Sequence, residues 1–554
     1  MPTSIPNMRS VTLSLEKTLD LYLEGPDSWN QFVDSYDEIH FNFSKVQWPH
    51  YQMRLDALNI KQGLKNSVIS FKGYCFKSGN LDFSGTDFGA RSLDFSNLDL
   101  KNTSLTLADI VLHGPSINIS NLKIGVGTIH LSGSRIGGHD RRTDLMATNI
   151  SISLGDLLCR DMVFGKGDIN FSGLQLNQGA ADFSGTVFRD GDFSLSRAQI
   201  KGDIVDFKGS KFGAGSKFFS QCTFEVAQVS FSSVDFGTDN LDFHGCNYSK
   251  VSDSVNFRYL KTSGYSALFS MSTFAKITID FSYSAFDCKI VDFSELDLAD
   301  GNYIFESCEF SGRASFSDRA QQKSQAKKFS FRKSLFHSTL DVSWVTTEDI
   351  IDLRETKLAT HTTLDNLGFT LHRTRAVKYL PGTLKTNSKA AASKLRRLKE
   401  IAETNKNHTA ALRFHAAEMR ARRWNDMPKL SSILDAAFSM LSNYGQSILR
   451  PFIAWGILVL GFGVVYSVIA QKDLLARSFS DTFSQANFAD GFLYSLVQTL
   501  PVFPISRSLQ QNLYTALNVG HSSTLFSSLT IVQNLLGVIF LFLIGLGLRN
   551  RFRL

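Results

Sequence analysis

The chain has 554 residues, of which 47 are phenylalanine and only 10 proline, with aromatics at 12% and charged residues at 20%. That is too apolar and too aromatic for a disordered chain, and no collagen-like period is present. The net charge of +7 is unevenly placed: residues 1–64 are acidic, 65–345 are close to neutral, and the positive excess lies wholly beyond residue 345.

The opening MPTSIPNMRSVTLSLEK holds no apolar core of signal-peptide length, so no cleaved leader is expected. Residues 1–64 read as a cap. A helix is expected within 10–24, then a short amphipathic helix leading into a first strand over 27–47, with Trp29 and Phe32 covering the first coil of a repeat region.

Thirty of the 47 phenylalanines fall in residues 65–345, and their spacing alternates between 5 and 7 residues. One run is Phe71, Phe76, Phe83, Phe88, Phe95 and onward through leucines and isoleucines to Ile136. A second starts at Cys159 and includes Phe183, Phe188, Phe207, Phe212, Phe219, Phe224, Phe231, Phe236 and Phe243. A third runs from Phe269 to Phe310. Neither a helix nor a simple strand gives this spacing. A coil that turns a corner every five to seven residues does, with each anchor stacked on its equivalent in the next coil. The residue two before the anchor is often small or β-branched (Ala181, Cys222, Val229, Cys246, Ser284), which fits a second, narrower inward position. The residue just before it is often aspartate (Asp82, Asp94, Asp206, Asp242, Asp280), expected to point to water.

The units LDFSG, TDFGA, LDFSN, ADFSG and VDFKG resemble those of pentapeptide-repeat proteins. The resemblance covers about 65–367 and implies a right-handed, quadrilateral β-helix. This chain departs from the family pattern by adding two residues to every second pentad. The expected coil is therefore about 24 residues with four anchors, a flattened 12-residue coil being the alternative. At the strand spacing of about 4.8 Å, some 12 coils would make a rod roughly 55–60 Å long. Charged stretches at 137–149 and 317–328 interrupt the ladder and read as extruded loops, the expected place for a protein partner, as are the solenoid faces. DNA mimicry, which the resemblance also implies for some members, needs a strongly acidic rod, and the neutral balance argues against it.

Residues 368–430 change character to a linker and a helical hairpin, with 11 Lys/Arg and 4 Asp/Glu in 386–430. Nucleic acid is not expected as its partner, because membrane segments come next in the chain. PFIAWGILVLGFGVVYSVIA (451–470) carries no charge over 20 residues, and LTIVQNLLGVIFLFLIGLGL (529–548) is a second such segment. Basic residues crowd the outer side of both, so the positive-inside rule puts both termini and the solenoid in the cytoplasm, a bacterial inner membrane being the expected location. Between the spans, within the membrane domain 431–554, ADGFLYSLVQTLPVFPIS (489–506) is too short to cross. It is either a re-entrant half-helix, with Gln498, Thr499, Pro501 and Pro504 as pore-lining candidates, or an interfacial helix lying flat on the outer leaflet. Span, short helix, span resembles the layout of the pore module of two-transmembrane potassium channels. TLPVFPIS lacks a glycine-bearing filter, so potassium selectivity has no support.

No nucleotide, metalloprotease or hydrolase motif is present. The six cysteines (Cys75, Cys159, Cys222, Cys246, Cys288, Cys308) form no CxxC pair, with Cys222 and Cys246 expected to stack inside the ladder. No catalysis, cofactor or metal is expected. Two functions remain: an oligomeric membrane effector controlled by the solenoid, and a membrane-tethered binding scaffold without a pore.

Overall fold

The computed structural model describes residues 9–64, 67–138, 142–298, 300–318, 325–359, 361–375, 384–470, 487–499, 505–517 and 523–552. It divides into two units, Met1–Leu371 and His372–Leu554.

The first unit is a parallel β-solenoid of about 14 turns. Register fixes the coil length. Val163 pairs with Val187 and Val187 with Lys211, while Phe193 pairs with Lys217 and Lys217 with Leu241, each step being 24 residues. The 24-residue reading therefore holds and the flattened 12-residue coil does not. There are more turns than the dozen expected, because Ser10–Thr12 and Glu38–Asn42 add rungs at the start and Leu340–Asp341 and Thr362–Thr363 add rungs at the end.

The anchors face the axis and stack in columns. Phe183, Phe207, Phe231 and Phe257 succeed one another at 4.6, 5.0 and 5.1 Å between ring centroids, nearly parallel. A second column holds Phe188, Phe212 and Phe236 at 4.5 and 5.3 Å, and a third holds Phe219 and Phe243 at 4.5 Å. Phe224 stacks on Tyr248 in the fourth. Neighbouring columns meet edge to face, as Phe219 does with Phe231 at 85°, the arrangement aromatic quadrupoles favour.

The aspartate before the anchor turns the chain instead of simply facing water. Its Oδ1 accepts the backbone N–H two residues on: Ser84 to Asp82 at 2.8 Å, Lys208 to Asp206 at 2.8 Å, His244 to Asp242 at 2.9 Å. This Asx turn bends the backbone at the corner. The residue two past the anchor then takes a left-handed conformation, met by Gly185 (φ 68°) and by Asn97 (φ 58°). One further on, a buried hydroxyl or thiol donates to the carbonyl of the anchor one coil back, a group the corner removes from the ladder. Ser210 donates to Phe183 O at 2.6 Å, Ser284 to Phe257 O at 2.9 Å, Cys222 to Leu195 O at 3.1 Å and Cys246 to Phe219 O at 3.0 Å.

At the N-terminal end, helices α1 (Leu15–Glu24) and α2 (Pro26–Asp34) lie between the first two rungs, and α3 (Gln52–Lys61) between the second and third. Trp29 is fully buried and stacks on Phe41 at 3.9 Å, while its Nε1 donates to Cys75 O. Phe32 stays at the periphery, 5.0 Å from Tyr36. Tyr22, not singled out in the sequence, completes the plug: it stacks on Tyr74 and donates to Ser70 O.

The second unit opens with an antiparallel pair, Arg373–Arg375 with Leu384–Thr386. Next is a helical hairpin, α4 (Ala391–Thr404) and α5 (His408–Arg422), turned at Lys406 (φ 58°) and capped by the Asn407 side chain. Then come α6 (Lys429–Ser442), α7 (Leu449–Ala470), α8 (Asn487–Gln498), α9 (Ile505–Ala516) and α10 (Ser523–Phe552).

Candidate functional site

Among the described residues, two helices are long and apolar enough to cross a membrane: Leu449–Ile469 within α7 and Thr524–Phe552 within α10, each of mean hydropathy 2.3. Their outer faces are bare of protein, with Ile457, Ile531, Leu535 and Phe542 all more than 60% exposed. That much contiguous exposed apolar side chain suits a lipid environment and not water. The two helices run antiparallel. Tyr466, near the end of α7, donates to Gln533 Oε1 in the first half of α10 at 2.7 Å, and Asn550, near the end of α10, donates to Gly445 O just before α7 at 3.0 Å.

Helix α8 packs against both. Ser495 Oγ donates to Val459 O at 2.7 Å, and Gln533 Nε2 donates to Ser495 O at 2.9 Å and Oγ at 2.6 Å. Tyr466, Ser495 and Gln533 are each fully buried. Val459 lies ten residues into α7, about 15 Å along it, so α8 packs beside the middle of that helix. Close approach is made possible by glycine. A Cβ at Gly491 would sit 2.8 Å from Gly463 O, and one at Gly537 would sit 3.1 Å from Thr499 Cα. Helix α9 closes against α8, with Tyr494, Leu513, Leu517 and Phe526 gathered around Tyr466. Tyr494, Gln510, Gln511, Tyr514 and Thr515 line an open cleft beside them.

Of the pore-lining candidates, Thr499 is fully buried against Gly537 and donates to Leu496 O at 2.8 Å. Gln498 is 2% exposed, and among the described residues its Nε2 has no hydrogen-bond partner. Pro501 and Pro504 lie outside the described residues. Sequence reasoning missed Tyr466, Ser495 and Gln533. The available signal was that each is a polar residue inside an otherwise apolar helix, where such residues mark helix contacts.

In the solenoid, the nine ladder phenylalanines are all buried. The expected loops are smaller than supposed: Asp144–Met146 and Lys328–Ser330 are regular rungs. Residues 139–141 and 319–324 lie outside the described residues. Two left-handed corner positions carry Tyr259 (φ 58°) and Tyr283 (φ 64°), stacked at 5.0 Å and about half exposed. The Arg258 guanidinium lies 5.6 Å from both rings. Lys217 occupies an inward position between Phe193 and Leu241, 1% exposed, and Nζ donates to Gly213 O and Thr238 O at 2.6 and 2.7 Å. Burial pulls its pKa down to about 8, against the opposing pull of Asp239 and Asp192. Burial also pushes the Cys222 thiol well above its usual range, with Cys246 adding to it. Among the described residues, no group of three or more His, Cys, Asp or Glu side chains is placed to hold a metal ion.

Compared with known proteins, the chain matches no family profile, no curated protein and no solved structure.

Proposed function

We propose that this is a membrane-anchored pentapeptide-repeat protein that acts as an oligomeric, channel-like membrane effector, controlled by its cytosolic β-helix. The observation that carries the reading is α8, held between two apolar helices by a buried polar network. A simple anchor needs neither a third, short helix packed against the spans nor buried glutamines, and polar groups among membrane helices are kept where they serve a pathway or a helix contact. One pair of spans cannot enclose a pore, so the reading requires a cyclic assembly, with the stretch from Gln498 through Pro501 and Pro504 at its centre. It assigns no catalysis and no cofactor.

The test is reconstitution of the full chain, with particle mass in detergent and conductance across a planar bilayer. An oligomer giving discrete conductance steps, lost on deletion of 488–506, is the expected result. A monomer that leaves the bilayer silent overturns it. The stacked, half-exposed Tyr259 and Tyr283 favour a second reading, a tethered scaffold that presents this corner to a protein partner. A silent bilayer together with partner binding abolished by Tyr259→Ala is the outcome that reading requires.

A further inference from the structure

Helix α6 has its polarity reversed relative to a helix of a soluble domain. Ser432, Asp435 and Ser442 are buried, whereas Leu430 is 70% exposed, Leu434 64% and Met440 71%, with Ile433 beside them. The inward face is well satisfied. Asp435 Oδ2 accepts from Arg423 Nε at 2.7 Å and from the Tyr444 hydroxyl at 3.0 Å, and Arg423 also donates to that hydroxyl at 2.8 Å. Among the described residues, none covers the outward face. In a soluble domain the opposite distribution holds.

The position of α6 says what covers that face. The helix ends at Ser442, a tight turn passes through Asn443, Tyr444 and Gly445, all with positive φ, and α7 begins at Leu449. Asn550 of α10 donates to Gly445 O in that same turn, and Gly547 packs on Ile448. So α6 departs from the point where α7 starts and α10 ends, at the boundary of the two spans. Charge is complementary as well. Arg450 is exposed at this boundary, Arg549 and Arg551 lie in the last turn of α10, and the exposed Lys429 opens α6. Basic residues beside an apolar face are the signature of a helix resting in an anionic leaflet.

We infer that α6 is an in-plane membrane helix whose apolar face, Leu430, Ile433, Leu434 and Met440, is covered by the acyl layer of a leaflet carrying anionic headgroups. The inference rests on α7 and α10 being membrane spans, and goes beyond that reading by adding a lipid-sensing surface between the spans and the basic hairpin.

The test uses the full chain with Cys75→Ser, which leaves five buried thiols, and one added cysteine at a time for a nitroxide label: Leu434→Cys, Met440→Cys and, as an aqueous control, Asp426→Cys. Nanodiscs are made of phosphatidylcholine alone or with phosphatidylglycerol. Oxygen broadening is expected to exceed that of a water-soluble nickel complex at 434 and 440 and the reverse at 426, with the oxygen preference rising in the phosphatidylglycerol discs. Nickel access at 434 and 440, or an equal result in both lipids, overturns the inference, as does spin–spin broadening between copies, which would mark a self-interface. In the variant with Leu430, Ile433, Leu434 and Met440 all changed to glutamine, the chain is expected to stay in carbonate-washed membranes while a label at Ala437→Cys becomes open to nickel. Release by carbonate of the parent chain overturns the spanning reading itself, whereas retention with an aqueous label at 434 overturns only the role of α6.

Discussion

Aspartate, phenylalanine and a small polar residue in succession describe one corner of the solenoid, each with a separate task. The sequence pattern made the phenylalanine legible because an inward column must be apolar at every turn. It misassigned the aspartate, because a residue facing out of a sheet looks the same whether its carboxylate meets water or the backbone N–H two residues ahead. Lys217 was not legible at all: one lysine among Ile169, Phe193 and Leu241 in an inward column reads as noise until its carbonyl partners are seen. Its titration gives a prediction. The folded-state pKa, about 8, lies below the unfolded value of 10.5, so the unfolded chain binds the extra proton between these values. Stability contributed at this site is therefore lowest below pH 8 and rises as the pH climbs to 10.5, by up to about 3 kcal/mol. Lys217→Met removes that slope. Urea denaturation of the full chain at pH 7 and pH 10.5, followed through the β-sheet signal, should show the stability of the variant relative to the parent falling by this amount, and a constant difference would refute it.

At the scale of elements, hydropathy and length located the two spans, since a long uncharged apolar run has few other readings. Helix α8 reads as either re-entrant or interfacial because its own composition fits both, and the contact its composition does not reveal is Ser495 meeting Gln533 across helices. Helix α6 escaped notice because periodicity shows that a helix has two faces but not which one the protein covers. The packing of α8 is open to test by two substitutions. Gly491→Leu places a side chain against Gly463 O and Ser467 and should displace α8, lowering the melting temperature of the detergent-solubilised chain strongly. Gln533→Leu removes the bonds to Ser495 and the acceptor of the Tyr466 hydroxyl, a smaller loss of about 1–2 kcal/mol. Melting curves of both variants that overlay the parent would refute the docking of α8.

For the molecule as a whole, the coil length was readable from the interval between equivalent anchors, but not the continuity of the ladder. Small insertions shift the interval after Tyr248 and again after Phe310, and the sequence alone makes these look like breaks. The register carries straight on through Phe257, Phe316, Phe331 and Phe336. Since each coil touches only its neighbours, stability is a chain of adjacent terms. Phe231→Ala, which removes a ring stacked between Phe207 and Phe257, should cost about 3–5 kcal/mol. Hydrogen exchange should show lost protection centred on the coils from 207 to 257, with the N-terminal rungs kept; uniform loss along the solenoid would contradict neighbour-only coupling. One rung already differs in the native chain. The column of Phe212 and Phe236 meets Thr262 before resuming at Phe286. The backbone hydrogen bonds of a parallel coil run along the axis, so a pull on the two ends loads them in series, and a series of springs yields first at its softest member. Within that column Thr262 is the member without a ring, so under tension the column is expected to part at Thr262 before it parts at its stacked phenylalanines.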